Sequence, residues 1–95
     1  MDISTTSNVV TISGNIKTVS DYQAIKSTLD SLIGANKTII IDIKDSISIT
    51  SSVIGYLTKL VQKEGIDLSI KVGNDSLLEL FDDLNLITLF KVKKA

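Results

Sequence analysis

Residues 38–57 read "TIIIDIKDSISITSSVIGYL", and two periodicities meet inside them. The first six, 38–43, are mostly β-branched and apolar at consecutive positions, over the length of a strand. A strand of this kind is expected to be covered on both faces, as in the middle of an α/β sheet. From about Ser51 to Glu64 the spacing becomes helical, with Val53, Ile54, Leu57, Leu60 and Val61 turned inward and Gly65 as the stop. Residues 44–48 form a loop, and Ile47 and Ile49 are expected to dip back into the core. A buried strand that feeds a helix is half of a βαβ unit, and this decides the fold class.

Working outward, "DLSIKV" (67–72) supplies the next strand and Asn74 or Asp75 caps a third helix. That helix runs to about Leu84 on Leu77, Leu78, Leu80 and Phe81. "LNLITLFKV" (84–92) closes the chain with a turn and a short terminal strand. Upstream, Tyr22, Ile25, Leu29, Leu32 and Ile33 share one helical face over 20–33. Ser20 and Gln23 there have the spacing of a capping box, and Gly34 marks the stop. Before that helix, "DISTT" (2–6) and "VVTIS" (9–13) read as a hairpin turning at Ser7 and Asn8, with Gly14 ending its second strand. The expected architecture is a single α/β domain over 1–95, a mixed and mostly parallel sheet with helices packed against it and one antiparallel strand near the start.

The totals agree with one aliphatic core. The chain has 95 residues, 43% of them hydrophobic and 22% charged, the balance of one globular domain. Mean hydropathy is +0.31. Aromatics are only 4%, too few for a platform on which bases stack. Ten lysines against eleven acidic residues give a net charge of −1, so there is no basic footprint for nucleic acid or anionic lipid. No cysteine is present to suggest an oxidising compartment. No run approaches the ~20 apolar residues of a membrane span, and the first residues lack the pattern of a signal peptide. A soluble, cytoplasmic domain without direct membrane insertion is expected.

The chemistry available is narrow. Without His or Cys, most nucleophile–base pairs and transition-metal sites are excluded, and the five scattered glycines form no phosphate-binding loop. Asp82 and Asp83 are adjacent on a helix, so their side chains diverge by about 100° and belong to a solvated face. Asp42, near the end of a central strand, stands where a receiver domain accepts phosphate. That chemistry also needs acidic residues after the first strand to hold magnesium, and "SGNIK" (13–17) has none. Asp42 is instead expected to bond neighbouring backbone N–H groups. The chain is read as no enzyme, with no cofactor or metal.

One feature exceeds its structural need. Thr50, Ser51 and Ser52 are consecutive hydroxyls at the mouth of the second helix, and an N-cap uses only one of them. A helix N-terminus offers free N–H donors and the positive end of the dipole, which suits a phosphate. A phosphorylated Ser51 would carry nearly two negative charges there and repel a partner bound flat against it.

The stretch from "TIIIDI" through "TSSVIG" to "NLITLF", with "VVTISGNI" before it, resembles the STAS domain of bacterial anti-sigma-factor antagonists over nearly the whole chain. In that family an apolar strand is followed by Asp-Ser-Ser-Gly-Leu-Gly opening a helix. Here "TSSVIG" occupies the signature, Gly55 matches its last glycine, and Asn85 stands where the closing segment often has glycine. Thr50 replaces the signature Asp, Val53 its first Gly, and Lys17 a customary Asp near the partner surface. The resemblance implies phosphorylation of Ser51, with Ser52 and Thr50 as neighbouring candidates, by a serine kinase that is also the anti-sigma factor, and reversal by a phosphatase. The partner surface comprises Lys17, Thr50, Ser51 and Ser52, joined by Tyr56, which is offset from the apolar stripe of the second helix and expected on its surface. The neutral and basic replacements leave a second expectation open: an unphosphorylated STAS adaptor subunit of a larger signalling or lipid-transport assembly.

Overall fold

The computed structural model describes residues 1–95. Its elements follow the order β1 (Asp2–Thr6), β2 (Val9–Ser13), α1 (Val19–Ile33), β3 (Thr38–Ile43), α2 (Ser51–Gln62), β4 (Asp67–Val72), α3 (Asp75–Asp83) and β5 (Val92–Lys94). The sheet order is the chain order, β1-β2-β3-β4-β5. β1 and β2 are antiparallel, and every later pair is parallel. The α/β class and the mixed, mostly parallel sheet are as the sequence implies.

The parallel strands β2 to β5, laid down in chain order with a helix in each connection, place all three helices on one side when the crossovers share the usual right hand. Burial follows that rule. Val10 and Ile12, then Ile39, Ile41 and Ile43, then Leu68, Ile70 and Val72 alternate as buried positions beneath the helices. Val9, Thr11, Ile40, Asp42, Ser69 and Lys71 lie between them, half-buried or exposed. The expectation that β3 is covered on both faces is thus corrected. Its consecutive isoleucines suggested a central layer, yet the crossovers leave the far face of the sheet open. Twenty apolar residues form the single core, including Leu57 and Leu60 of α2, Leu77 and Phe81 of α3, and Phe90. Ile54, Val61, Leu78 and Leu80 pack at its margin. No helix is long and apolar enough to cross a membrane.

Local chemistry fixes the boundaries. α1 begins two residues before the expected box: Thr18 is the N-cap, and its hydroxyl accepts from the Asp21 N–H at 3.1 Å. The Asp21 carboxylate accepts from Lys17 and Thr18 at 2.9 and 3.1 Å. An ionised acceptor binds two backbone donors better than the Gln23 amide would, and those two bonds hold Asp21 below the usual carboxylate range. Asn74 caps α3. Asn85, where the resemblance has glycine, adopts φ +59, a left-handed geometry that Asn tolerates better than most residues. Gly73 is required sterically, because a Cβ there would stand 1.8 Å from the Lys44 carbonyl oxygen.

Candidate functional site

Both α1 and α2 start at the carboxyl ends of the strands they follow, so their N-termini open on the same end of the sheet. Two loops meet there, 14–18 and 44–50, and they are stitched by side chains that periodicity does not reveal. Ser46, the only buried polar residue, is fully enclosed. Its hydroxyl accepts from the Ile16 N–H at 3.1 Å and donates to the Ser48 carbonyl at 2.6 Å. Ser48 donates to the Ile16 carbonyl at 3.1 Å, and Asn15 accepts from the Ile47 N–H at 3.0 Å. Asp45 accepts from the Gly14 N–H at 2.7 Å, and Asn74 donates to the Ser46 carbonyl at 2.8 Å. Each bond supplies a partner to a backbone group that a loop would otherwise leave unpaired. The platform beneath the hydroxyl triplet is therefore anchored to β2, β3 and α3.

Within the triplet the roles divide. Thr50 is half-buried and is the N-cap of α2, its hydroxyl accepting from the Val53 N–H at 3.3 Å. Ser51 and Ser52 are exposed in the first turn, outside that capping role. Thr50 and Ser52 line a cleft of about 240 Å³ with Lys17, Thr18, Val19 and Tyr22. Lys17 is exposed and makes no ion pair, so its ammonium is free at this cleft. Two large apolar side chains are exposed at the same end, Val19 at 72% and Ile47 at 60%. Ile47 was expected in the core. Its backbone is held by Asn15, and this turns the side chain outward, while Ile49 alone packs toward the core.

The structure brings Lys17, Thr50, Ser51 and Ser52 to one end and sets Tyr56 apart. Tyr56 is 6% exposed and belongs to the core, which corrects its expected place on the surface. Its ring meets Tyr22 edge-on, with centroids 6.5 Å apart. Its hydroxyl donates to Asp30 of α1, and Lys26 lies 5.6 Å from the ring centroid. Burial first, and the bond to Asp30 second, push the phenol well above its ordinary range. Tyr56 thus locks α1 to α2 and is unavailable to a partner. Gly55, by contrast, is exposed with nothing within 4 Å of where a Cβ would stand. An exposed glycine inside a helix costs stability relative to alanine, and here it keeps the surface flat one turn beyond Ser51 and Ser52.

Asp42 lies away from this site, on the open sheet face. One carboxylate oxygen accepts from the Lys44 ammonium at 2.8 Å, and the other is buried with no hydrogen-bond partner. The backbone bonds expected of Asp42 are therefore absent; Asp45 makes such a bond instead. Asp82 and Asp83 are exposed. No cluster of three or more His, Cys, Asp or Glu is placed to hold a metal ion.

Fold and site together define a two-layer α/β module whose distinguishing feature is a pair of free hydroxyls at a helix mouth, flanked by a lysine and two exposed apolar side chains. Compared with protein-family models, curated proteins and solved structures, the chain matches none of them. The STAS resemblance rests on the residues quoted for it.

Proposed function

We propose that the protein is a cytoplasmic regulatory binding module of the anti-sigma-factor-antagonist type. It engages a protein partner, a serine kinase that doubles as an anti-sigma factor, through the end of the sheet where α1 and α2 begin. Phosphorylation of Ser51 releases that partner, and a phosphatase restores binding. The observation that carries the reading is the division of labour in the triplet: Thr50 caps α2, so Ser51 stands exposed at the helix mouth without a structural task. A dianion on Ser51 would be favoured by the helix terminus and would place a hydrated charge among the apolar contacts of Val19 and Ile47. Partner release then needs no change of fold.

A second reading, an unmodified adaptor subunit of a larger signalling or lipid-transport assembly, is favoured by one observation. The exposed Val19 and Ile47 offer contact area that needs no phosphate.

The test is to capture partners on the wild-type chain from its native extract, identify them, and titrate the main one calorimetrically against Ser51→Ala and Ser51→Asp. The switch predicts alanine binding like wild type and aspartate binding more weakly by about tenfold, or ~1.4 kcal/mol. Equal affinity for all three forms rejects the switch, and capture of a transport ATPase in place of a kinase-like ATPase selects the adaptor.

A further inference from the structure

The open face of the sheet carries a cation cluster that neither the core nor the helix-mouth site uses. Lys71 of β4 and Lys93 of β5 are direct register partners, on strands that neighbour at about 4.8 Å. Like charges set directly opposite each other on a sheet are destabilising. Neither lysine is relieved by an ion pair, because the carboxylates that reach lysines are Asp30, Asp42, Asp67 and Asp75, paired with Lys26, Lys44, Lys91 and Lys94. Lys91 adds a third ammonium to the cluster. It is held at φ +49, unusual for a long side chain, and pairs with Asp67 at 2.5 Å. The three lysines surround a cleft of about 250 Å³ that also includes Ile40 and the half-buried Ser69. Asp42, the register partner of Lys71 on β3, gives one oxygen to Lys44, and its other oxygen is buried and bonds neither cleft lysine.

We propose that this cleft binds a compact anion of two or more negative charges, its charged groups held by Lys71, Lys93 and Lys91 and its body resting over Ile40. The two unpaired charges of Lys71 and Lys93 beside a concavity are what such an anion would neutralise, with Lys91 shared between it and Asp67, and the cleft is too small for a folded partner to enter. The assignment is independent of the helix-mouth site, which lies at the ends of the strands and not on the sheet face.

The test titrates inorganic tripolyphosphate into the full chain, followed by amide chemical shifts at about 20 mM salt and again at about 150 mM. Saturable shifts are expected at Ile40, Ser69, Ile70, Lys71, Lys91 and Lys93, weaker at the higher salt. The pair Lys71→Ala and Lys93→Ala should lower affinity by about tenfold or more, and Lys63→Ala, at an exposed lysine that lines neither cleft, should leave it unchanged. Both lysines of the pair are exposed and repel each other, so the double variant should melt at or above the wild-type temperature, and Lys71→Gln with Lys93→Gln is the reserve if it does not fold. Drifting, unsaturated shifts at Lys37, Lys59 and Lys63 would overturn the proposal, as would a double variant that binds as wild type does. Tighter binding of a poly-glutamate peptide, or concentration-dependent self-association through this face, would overturn it in favour of an acidic protein segment or a second copy.

Discussion

Replacing Ser46 with alanine keeps the Cβ and removes one oxygen from a site that solvent does not reach. The Ile16 N–H loses its acceptor at 3.1 Å, and the Ser48 carbonyl loses its donor at 2.6 Å. An unsatisfied buried backbone group costs about 1–3 kcal/mol. The Ser48 N–H contact is long at 3.4 Å and contributes little. The Ser48 carbonyl is only half-buried, so water recovers part of its loss, and the sum comes to about 2–3 kcal/mol. For a domain of this size each kcal/mol moves the melting temperature by about 4–8 °C, so Ser46→Ala should melt about 10–20 °C lower. Far-UV circular dichroism on heating, with urea unfolding alongside, measures it. Ser48→Ala is the internal control, since it removes one half-buried bond worth about 1 kcal/mol. A Ser46→Ala melting temperature within about 3 °C of wild type would refute the view that this hydroxyl anchors the two loops.

The helix-mouth roles separate by stability: Thr50→Ala should cost about 1 kcal/mol as a lost cap and Ser51→Ala close to nothing, both read from urea midpoints. The glycines separate by sign. Gly55→Ala, with open space at the Cβ, should stabilise by about 0.8–1 kcal/mol. Gly73→Ala, which drives a methyl into the Lys44 carbonyl, should cost about 1–3 kcal/mol or more. Stability should also carry two pH limbs. Asp21 is lowered by the N–H groups of Lys17 and Thr18, and Asp30 by Lys26 and then Tyr56, so their contributions are full above the ordinary carboxylate value of 3.8 and are lost as pH falls through the lowered folded values. Tyr56 is raised, so its contribution is full below the ordinary tyrosine value of 10.0 and is lost only as pH climbs through the higher folded value. Ultraviolet difference titration of Tyr56→Phe against wild type should remove the late phenolate step; loss of an early step instead would contradict the buried bond to Asp30.

Periodicity carried the element order because each strand is a short β-branched run and each helix has an aliphatic stripe, and tertiary packing had no reason to override either. Where the reading failed, the deciding contact was far away in the chain. Tyr56 is buried by Asp30 and Tyr22, residues on another helix, and its own helix gives no sign of them. Ile47 faces outward because Asn15 holds its N–H, and hydropathy alone sends any isoleucine inward. Among twenty-one serines and threonines nothing local marks Ser46 as the enclosed one, although its place between a strand end and a helix cap was the available clue. The hydroxyl triplet was legible because three consecutive hydroxyls exceed what one cap can use. The division between Thr50 and Ser51 needed the geometry of the first turn.

Phosphate mapping probes the free hydroxyl at the start of α2. The full chain is incubated with ATP and its native extract, then weighed intact and sequenced by fragmentation. A single phosphate is expected on Ser51, absent from Ser51→Ala and retained in Ser52→Ala. A chain that gains no phosphate, or one whose phosphate is unaffected by Ser51→Ala, contradicts it.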